Sequence, residues 1–463
     1  MSESQSTRAP LNQPDTTEPE SQPADERARL GFLGHVNLVF LAYVANAALT
    51  FGVAVIVARV LGPDGRGVYA LFLLSASITQ SVLSLGIGVS AVYHLGKRAY
   101  PLSRVVANSQ QITVVSLIVS GLLVLLAWPT VGDALLDHGA PYWVFVFAVP
   151  LFLNYNVLTN VFQGTSRFLA MNAIIVAQPL VLLGLLVVGI AIGDVDTTAA
   201  LILWCGATLA ATVLGLALLG RGGLRVTELL RFDWPSMRGQ IRFGVQGQVG
   251  NLVQLLNYRL DQYIVLLFVG ISAVGIYAVA VTMTQSIWFI ANAVAVVLLP
   301  RLTATEDADA ARTTPVVCRN TLLVSALGAL ALGIVSPWLL KGLFGADFGP
   351  ALAPLLWLLP GTVALAGSKI LTSYILSQGR PLTNSLITVA SLAVTLVADF
   401  VLIPPFGVAG AAVASSLAYG VHFALSLIAY RRLSGGSIWD AVFVRGDDLR
   451  RYVEAARQRL ALA

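Results

Sequence analysis

The sequence predicts an all-α polytopic membrane protein, with about twelve transmembrane helices in two pseudo-symmetric lobes of six. Three observations carry that prediction. The composition is 57% hydrophobic and only 11% charged, with a mean hydropathy of +0.81, and a soluble chain of 463 residues needs far more charge to cover its surface. The apolar residues fall in runs of roughly 20, the length at which a helix crosses the hydrocarbon core with its backbone hydrogen bonds closed internally. The short alternating segments of a β-barrel are absent. The third observation is a repeat. Gly62-Pro-Asp-Gly-Arg-Gly67-Val-Tyr69-Ala70 returns as Gly270-Ile-Ser-Ala-Val-Gly275-Ile-Tyr277-Ala278, with all four shared residues displaced by the same 208 positions, close to half the chain. A duplicated bundle of apolar helices is the usual build of a transporter whose halves move about a central site.

The elements follow in order. Residues 1–35 are polar, rich in Ser, Pro, Glu and Gln, and lack the apolar stretch of a signal peptide, which predicts a disordered cytoplasmic tail. The first lobe, 36–220, has spans at about 36–60, 68–95, 105–127, 141–163, 169–192 and 197–220. A polar linker covers 221–242. The second lobe, 243–431, has spans at about 243–268, 272–300, 317–342, 353–377, 382–403 and 406–430. The remaining tail, 432–463, places Leu449, Tyr452, Val453, Ala456 and Leu460 at helical spacing among four arginines, consistent with an amphipathic basic helix at the membrane surface or a solvated helix.

Loop charge orients the bundle. Lys97, Arg98, Arg104, Arg167, Arg221, Arg225, Arg231, Arg238, Arg242, Arg301, Arg312, Arg319 and Arg380 fall on one side. Arg66 and Lys341, with Arg59 at the boundary, fall on the other. The positive-inside rule then puts both termini in the cytoplasm of a cell whose plasma (inner) membrane holds the protein. Topology accounts for the net charge of +5, so no nucleic-acid partner is implied. Cys205 and Cys318 lie in apolar segments and read as small core residues, and the four histidines have no metal-ligand spacing.

Function is expected where polarity is kept inside the membrane at a cost of roughly 2.5–3.5 kcal/mol or more per charge. Arg259, Asp261, Lys369 and Asp399 are such charges, all in the second half. In the seventh span Gly247, Gly250, Asn251, Gln254, Asn257, Tyr258 and Asp261 share a sector of roughly 120° at about 100° per residue, opposite an aliphatic face. This predicts a cavity-lining stripe. Arg259 lies about 200° from Asp261, so the two do not pair within the helix. In the eleventh span Asn384, Thr388, Ser391, Thr395 and Asp399 form one face. In the fourth span Asn156, Thr159, Asn160 and Gln163 do so. Each stripe serves either a cavity or hydrogen bonding between helices. Lys369 follows Pro360-Gly361, a dipeptide that kinks a span, and is placed either to bind an anion or to neutralise Asp399 or Asp261. There is no G-x-x-x-x-G-K-[ST] run, no large outer loop and no pair of carboxylates at a loop–membrane junction, which argues against an ATPase or a membrane enzyme.

Asn257-Tyr-Arg259-Leu-Asp261-Gln262, followed by Gly270 and Val274-Gly275-Ile-Tyr277-Ala278, resembles the start of the second half of Wzx-like bacterial polysaccharide flippases. These belong to the multidrug/oligosaccharidyl-lipid/polysaccharide exporter superfamily. Ile403-Pro-Pro-Phe-Gly407-Val-Ala-Gly410 is similar to that family's signature between its last two spans, and Ala58-Arg59-Val-Leu61-Gly62 with Gly67-Val-Tyr69-Ala70 to its first hairpin. Gln163-Gly164 to Asn172 and Gln378-Gly379 to Asn384 echo each other in the same way. The resemblance covers about residues 35–435; one departure is Asp399, where relatives often carry a neutral polar residue. It implies a MATE-like fold opening alternately to each side. It implies as cargo an undecaprenyl-pyrophosphate-linked oligosaccharide whose prenyl tail stays among membrane lipids, with a polysaccharide polymerase and other export proteins as partners. Arg259 and Lys369 would hold the pyrophosphate, Asn251, Gln254, Asn257, Asn156 and Asn160 the sugars, and Asp261 or Asp399 a coupling proton or sodium ion, with no other cofactor. Two competing readings are a cation-coupled drug antiporter, against which Arg259 and Lys369 argue, and a non-transporting assembly protein of polysaccharide export, which needs no polar stripes. A lipid II flippase usually has two further spans, and nothing after residue 431 is apolar enough to supply them.

Overall fold

The structure is a computed structural model that describes residues 22–136, 142–221 and 233–445. Its elements are α-helical, joined by short turns: α1 (Gln22–Leu83), α2 (Ile87–Gly96), α3 (Leu102–Leu136), α4 (Tyr142–Gly164), α5 (Phe168–Ile192), α6 (Thr197–Arg221), α7 (Trp234–Arg259), α8 (Asp261–Phe268), α9 (Ile271–Ala304), α10 (Asp307–Leu339), α11 (Leu352–Ser377), α12 (Pro381–Ser434) and α13 (Ile438–Val442). A π-helical turn, Leu340–Phe344, and a 3₁₀ turn, Ala346–Ala351, join α10 to α11. Among the described residues nine helices are long and apolar enough to cross a membrane, so the protein is a multi-pass membrane protein.

Two of the nine are hairpins. In α1, Gly62 leaves helical geometry at φ 64°, and Val53 and Val57 before it pack in one cluster with Tyr69 and Phe72 after it. In α12, Gly407 does the same at φ 56°; Ser391 Oγ donates to the Ala418 carbonyl at 2.9 Å, a contact that requires the two arms to lie side by side. The second arm of α1 continues through a break at Leu85 and Gly86, both at positive φ, into α2. At Leu260 α7 passes into α8 as one further crossing. Among the described residues these breaks give twelve crossings, six before and six after residue 222.

The repeated turns meet each other. A Cβ on Gly67 would collide with the Ile271 carbonyl oxygen, and one on Gly275 with the Pro63 carbonyl oxygen. Only glycine at both positions of the repeat lets the backbones approach this closely. Around this contact the first arm of α1 packs on the second lobe. Phe51 meets Phe344 edge-on at 6.0 Å, and Arg59 donates to the carbonyls of Leu343 (2.6 Å) and Gly342. Ser75 Oγ and Tyr263 Oη lie 2.6 Å apart. These contacts join the lobes on the side opposite the arginine-rich loops.

Helix α7 begins at Trp234, inside the stretch expected to be a polar linker, because Pro235 in its first turn suits a helix start. Its first half docks on the first lobe. Gly244 and Gly86 are in backbone contact, Gln248 Nε2 donates to the Ser81 carbonyl at 2.9 Å, and Asn108 Nδ2 donates to Ser236 Oγ at 3.0 Å. Arg104 Nε pairs with Asp233 Oδ2 at 2.8 Å. Its second half belongs to the second lobe, so the lobe boundary runs through a helix. Helical backbone also starts at Gln22, within the expected tail, where Ala24, Glu26, Ala28 and Leu30 are strong helix formers. The expectations for residues 1–21, for 222–232 and for 446–463 lie outside the described residues.

Candidate functional site

The seventh-span stripe is divided by the break at Leu260. Asn251 and Gln254, below it, are exposed. Asn257 is 2% exposed, and both ends of its amide are taken up by α12: Nδ2 donates to Ser391 Oγ at 3.2 Å and Oδ1 accepts from Thr395 Oγ1 at 2.9 Å. Asn257 is therefore a packing residue between α7 and α12, where the periodicity pointed to a cavity. The reason is that part of the eleventh-span stripe, Ser391 and Thr395, faces the seventh and binds this amide.

Asp261 is likewise inside the second lobe. Its Oδ2 accepts from Tyr277 Oη at 2.5 Å and Ser415 Oγ at 3.0 Å, and its Oδ1 from the Gln262 backbone N–H at 2.9 Å. These donors come from α9, the second arm of α12 and α8. Asp399, on the first arm of α12, is fully buried, and neither of its carboxylate oxygens has a partner among the described residues. Two carboxylates thus lie in the interior of one lobe, one held by three donors and the other by none. A buried acid without donors calls for a proton or a bound cation.

Arg259 and Lys369 do not neutralise these acids through ion pairs among the described residues. Arg259, half-buried, donates to Gln285 Oε1 of α9 at 3.3 Å. Lys369 donates to Asn292 Oδ1 of the same helix at 2.6 Å, and its Nζ lies 5.4 Å from the Trp288 ring centroid. Beside Lys369 is a cavity of about 160 Å³, lined in part by Gln254, Tyr258, Thr372, Asn384 and His422. It brings together residues of the seventh, tenth and eleventh spans with α9 and with His422, which periodicity did not single out. A neutral-looking α9 with isolated Gln285, Trp288 and Asn292 at helical spacing was the available signal.

In the first lobe Asn156 Nδ2 and Asn160 Nδ2 both turn back on α4, to the carbonyls of Phe152 and Asn156 at 2.8 Å, and Thr159 Oγ1 to that of Tyr155 at 2.9 Å. The bond that does cross between helices is made by a residue off that stripe. Asn154 and Gln110 of α3 exchange two amide hydrogen bonds at 2.9 and 3.1 Å.

The architecture of two six-crossing lobes is shared with solved membrane transporters. A structure titled lipid II flippase MurJ, inward closed conformation, superposes with a TM-score of 0.69, at 11% identity over 86% of this chain and 90% of that one. An inward-facing multidrug-resistance transporter of the MATE family gives 0.66, at 12% identity over 84% and 95%. Residues 34–306 match the family described as polysaccharide biosynthesis protein, and the chain belongs to that family. A probable flippase of Haloferax volcanii, AglR, is 24% identical over 411 residues, covering 85% of this chain and 82% of its own length. These relatives are flippases and transporters by name, in keeping with a chain that is no enzyme.

Proposed function

We propose that this protein is a flippase that carries an undecaprenyl-pyrophosphate-linked oligosaccharide from the cytoplasmic to the outer leaflet of the plasma membrane by alternating access, for cell-surface polysaccharide assembly. The observation that carries the reading is the pair Arg259 and Lys369: two cations inside the membrane, held by neutral amides and a ring instead of by carboxylates. Such cations match a polyanionic headgroup and oppose a cationic drug. The cytoplasmic orientation of both termini follows from the loop arginines, and on it the Gly67–Gly275 contact closes the outer side. Headgroup sugars meet Asn251, Gln254 and the cavity beside Lys369, while the prenyl tail remains in lipid. Membership in the polysaccharide biosynthesis family and the probable flippase among the relatives support this reading. A polysaccharide polymerase is the expected downstream partner.

Coupling is assigned to the buried acids. Asp399 offers two oxygens without donors among the described residues, and the Ser415 hydroxyl lies 3.0 Å from the Asp261 carboxylate. A sodium ion or a proton there would stabilise the lobe's acidic interior. The test is translocation by purified protein in liposomes containing a lipid-linked oligosaccharide, read as headgroup exposure at the outer leaflet. Wild type flips, and Arg259→Ala lowers the rate at least about tenfold with folding intact, the loss of one charge-assisted contact. Failure of the wild type to flip, together with cation-driven efflux of a lipophilic dye, would replace the flippase by an antiporter.

A further inference from the structure

We propose, resting on the flippase reading, that the cavity beside Lys369 is a selectivity site for a single acidic sugar of the headgroup, a pyranose bearing a carboxylate, separate from the place where the pyrophosphate binds. Four features of the site lead there.

The first is its charge. Lys369 is the lining cation, no carboxylate lines the cavity, and among the described residues Lys369 makes no ion pair. One uncompensated positive charge matches one carboxylate. The second is an excess of donors. His422 is only 5% exposed and lines the cavity, yet among the described residues its Nδ1 has no partner; the indole Nε1 of Trp288, whose ring lies beside Lys369 behind the lining, has none either. The indole N–H and the ammonium can only donate, and Gln254 and Asn384 carry further N–H groups. A ligand rich in acceptors satisfies this set, and unsatisfied buried groups of this kind are costly without one.

The third feature is aromatic. Tyr258 lines the cavity and is braced from behind by Trp288, at 5.2 Å between ring centroids, which in turn meets Tyr419 at 5.9 Å. The Tyr258 ring supplies an apolar surface for the C–H face of a sugar, and the Thr372 hydroxyl shares the lining. The fourth is separation. Gln285, which holds Arg259, and Asn292, which holds Lys369, are seven residues apart on α9, or about 10 Å at 1.5 Å per residue. The two cations are therefore two stations along one helix. A pyrophosphate, with charge for more than one cation, fits the guanidinium station; a monoanionic ring of one sugar's size fits the lysine station.

The experiment uses the full-length protein in lipid nanodiscs and needs no transport. Tryptophan fluorescence is titrated with glucuronic acid, glucose and inorganic pyrophosphate, and Trp288→Phe identifies the signal that comes from the cavity. Glucuronic acid is expected to quench saturably, with a dissociation constant at least about tenfold below that of glucose, the scale of one charge-assisted contact. Lys369→Gln should abolish that preference, and Lys369→Arg should retain part of it; both variants should keep the wild-type melting temperature. Arg259→Ala should weaken pyrophosphate and leave glucuronic acid unchanged. Equal binding of the two sugars, no quenching by either, or displacement of glucuronic acid by pyrophosphate in direct competition would each overturn the proposal. Flipping in liposomes without discrimination at the cavity removes this inference and leaves the flippase reading standing. Discrimination by a protein that does not flip removes the flippase reading and leaves the sugar site.

Discussion

Tyr69 and Tyr277 occupy the same place in the two copies of the repeat, and their surroundings differ in kind. Tyr69 packs with Val53, Val57 and Phe72, with the Arg66 guanidinium 5.7 Å from its ring centroid. Tyr277 is fully buried and donates to Asp261. Carried back by the 208-residue offset of the repeat, Asp261 falls on Val53. The same turn therefore closes an aliphatic core in one lobe and holds a carboxylate in the other. Two amide contacts differ in the same way. Asn154 and Gln110 satisfy each other in the first lobe, whereas Asn292 in the second is bonded to a lysine. Under the flippase proposal the first lobe is a frame, and the second carries the charges on which cargo and coupling would depend.

The sharpest way to break this comparison is at the point where the copies touch. Gly275→Val puts a side chain into the Pro63 carbonyl, and overpacking of about 1–3 kcal/mol shifts the lobes away from the contact roughly tenfold or more. Disulfide formation between cysteines introduced at Arg59 and Lys341 should fall by that factor; unchanged cross-linking would show that the glycine contact does not hold the lobes together. The two tyrosines test the asymmetry itself. Tyr277→Phe removes a donor from a buried carboxylate and should lower stability by about 1–3 kcal/mol. Tyr69→Phe, at a hydroxyl with no hydrogen bond among the described residues, should change it by about 0.5 kcal/mol or less. Thermal unfolding in detergent measures both, and equal losses would remove the distinction between frame and functional lobe. The smallest effect concerns the acids. Sodium chloride in place of choline chloride should stabilise the wild type by about 1.4 kcal/mol at ten times the dissociation constant, and Asp399→Asn should abolish the difference. A sodium effect that survives Asp399→Asn would place the ion elsewhere.

The helices themselves were legible because a chain in lipid has few options. Uninterrupted apolar runs, glycines between them and a fixed repeat offset specify crossings and their pairing before any tertiary contact is considered. Even the reversals at Gly62 and Gly407 announced themselves as glycine–proline punctuation. The site was legible only in part. Periodicity found the polar face of the seventh span, but a helical wheel has no information about which part of a face meets a cavity and which meets another helix. Asn251 and Gln254 remain open, while Asn257 and Asp261, on the same face, are closed off by Ser391, Thr395, Tyr277 and Ser415. The asparagines of α4 show the same limit: Asn156 and Asn160 bond to their own helix, and the bond across helices comes from Asn154.

By itself, then, the sequence determined a duplicated helical membrane protein, the order of its crossings and the four mid-span charges of its second half. Hydrophobic length, loop charge and repeat spacing are local properties that survive without a fold. The tertiary structure decided which polar groups are spent and which are left over. It buried Asp261 among three donors, left Asp399 without any, and set Lys369 beside Trp288, Asn292 and His422 from two other helices. Hydrogen bonds are satisfied between elements far apart in the chain, and only packing brings those elements within reach of one another.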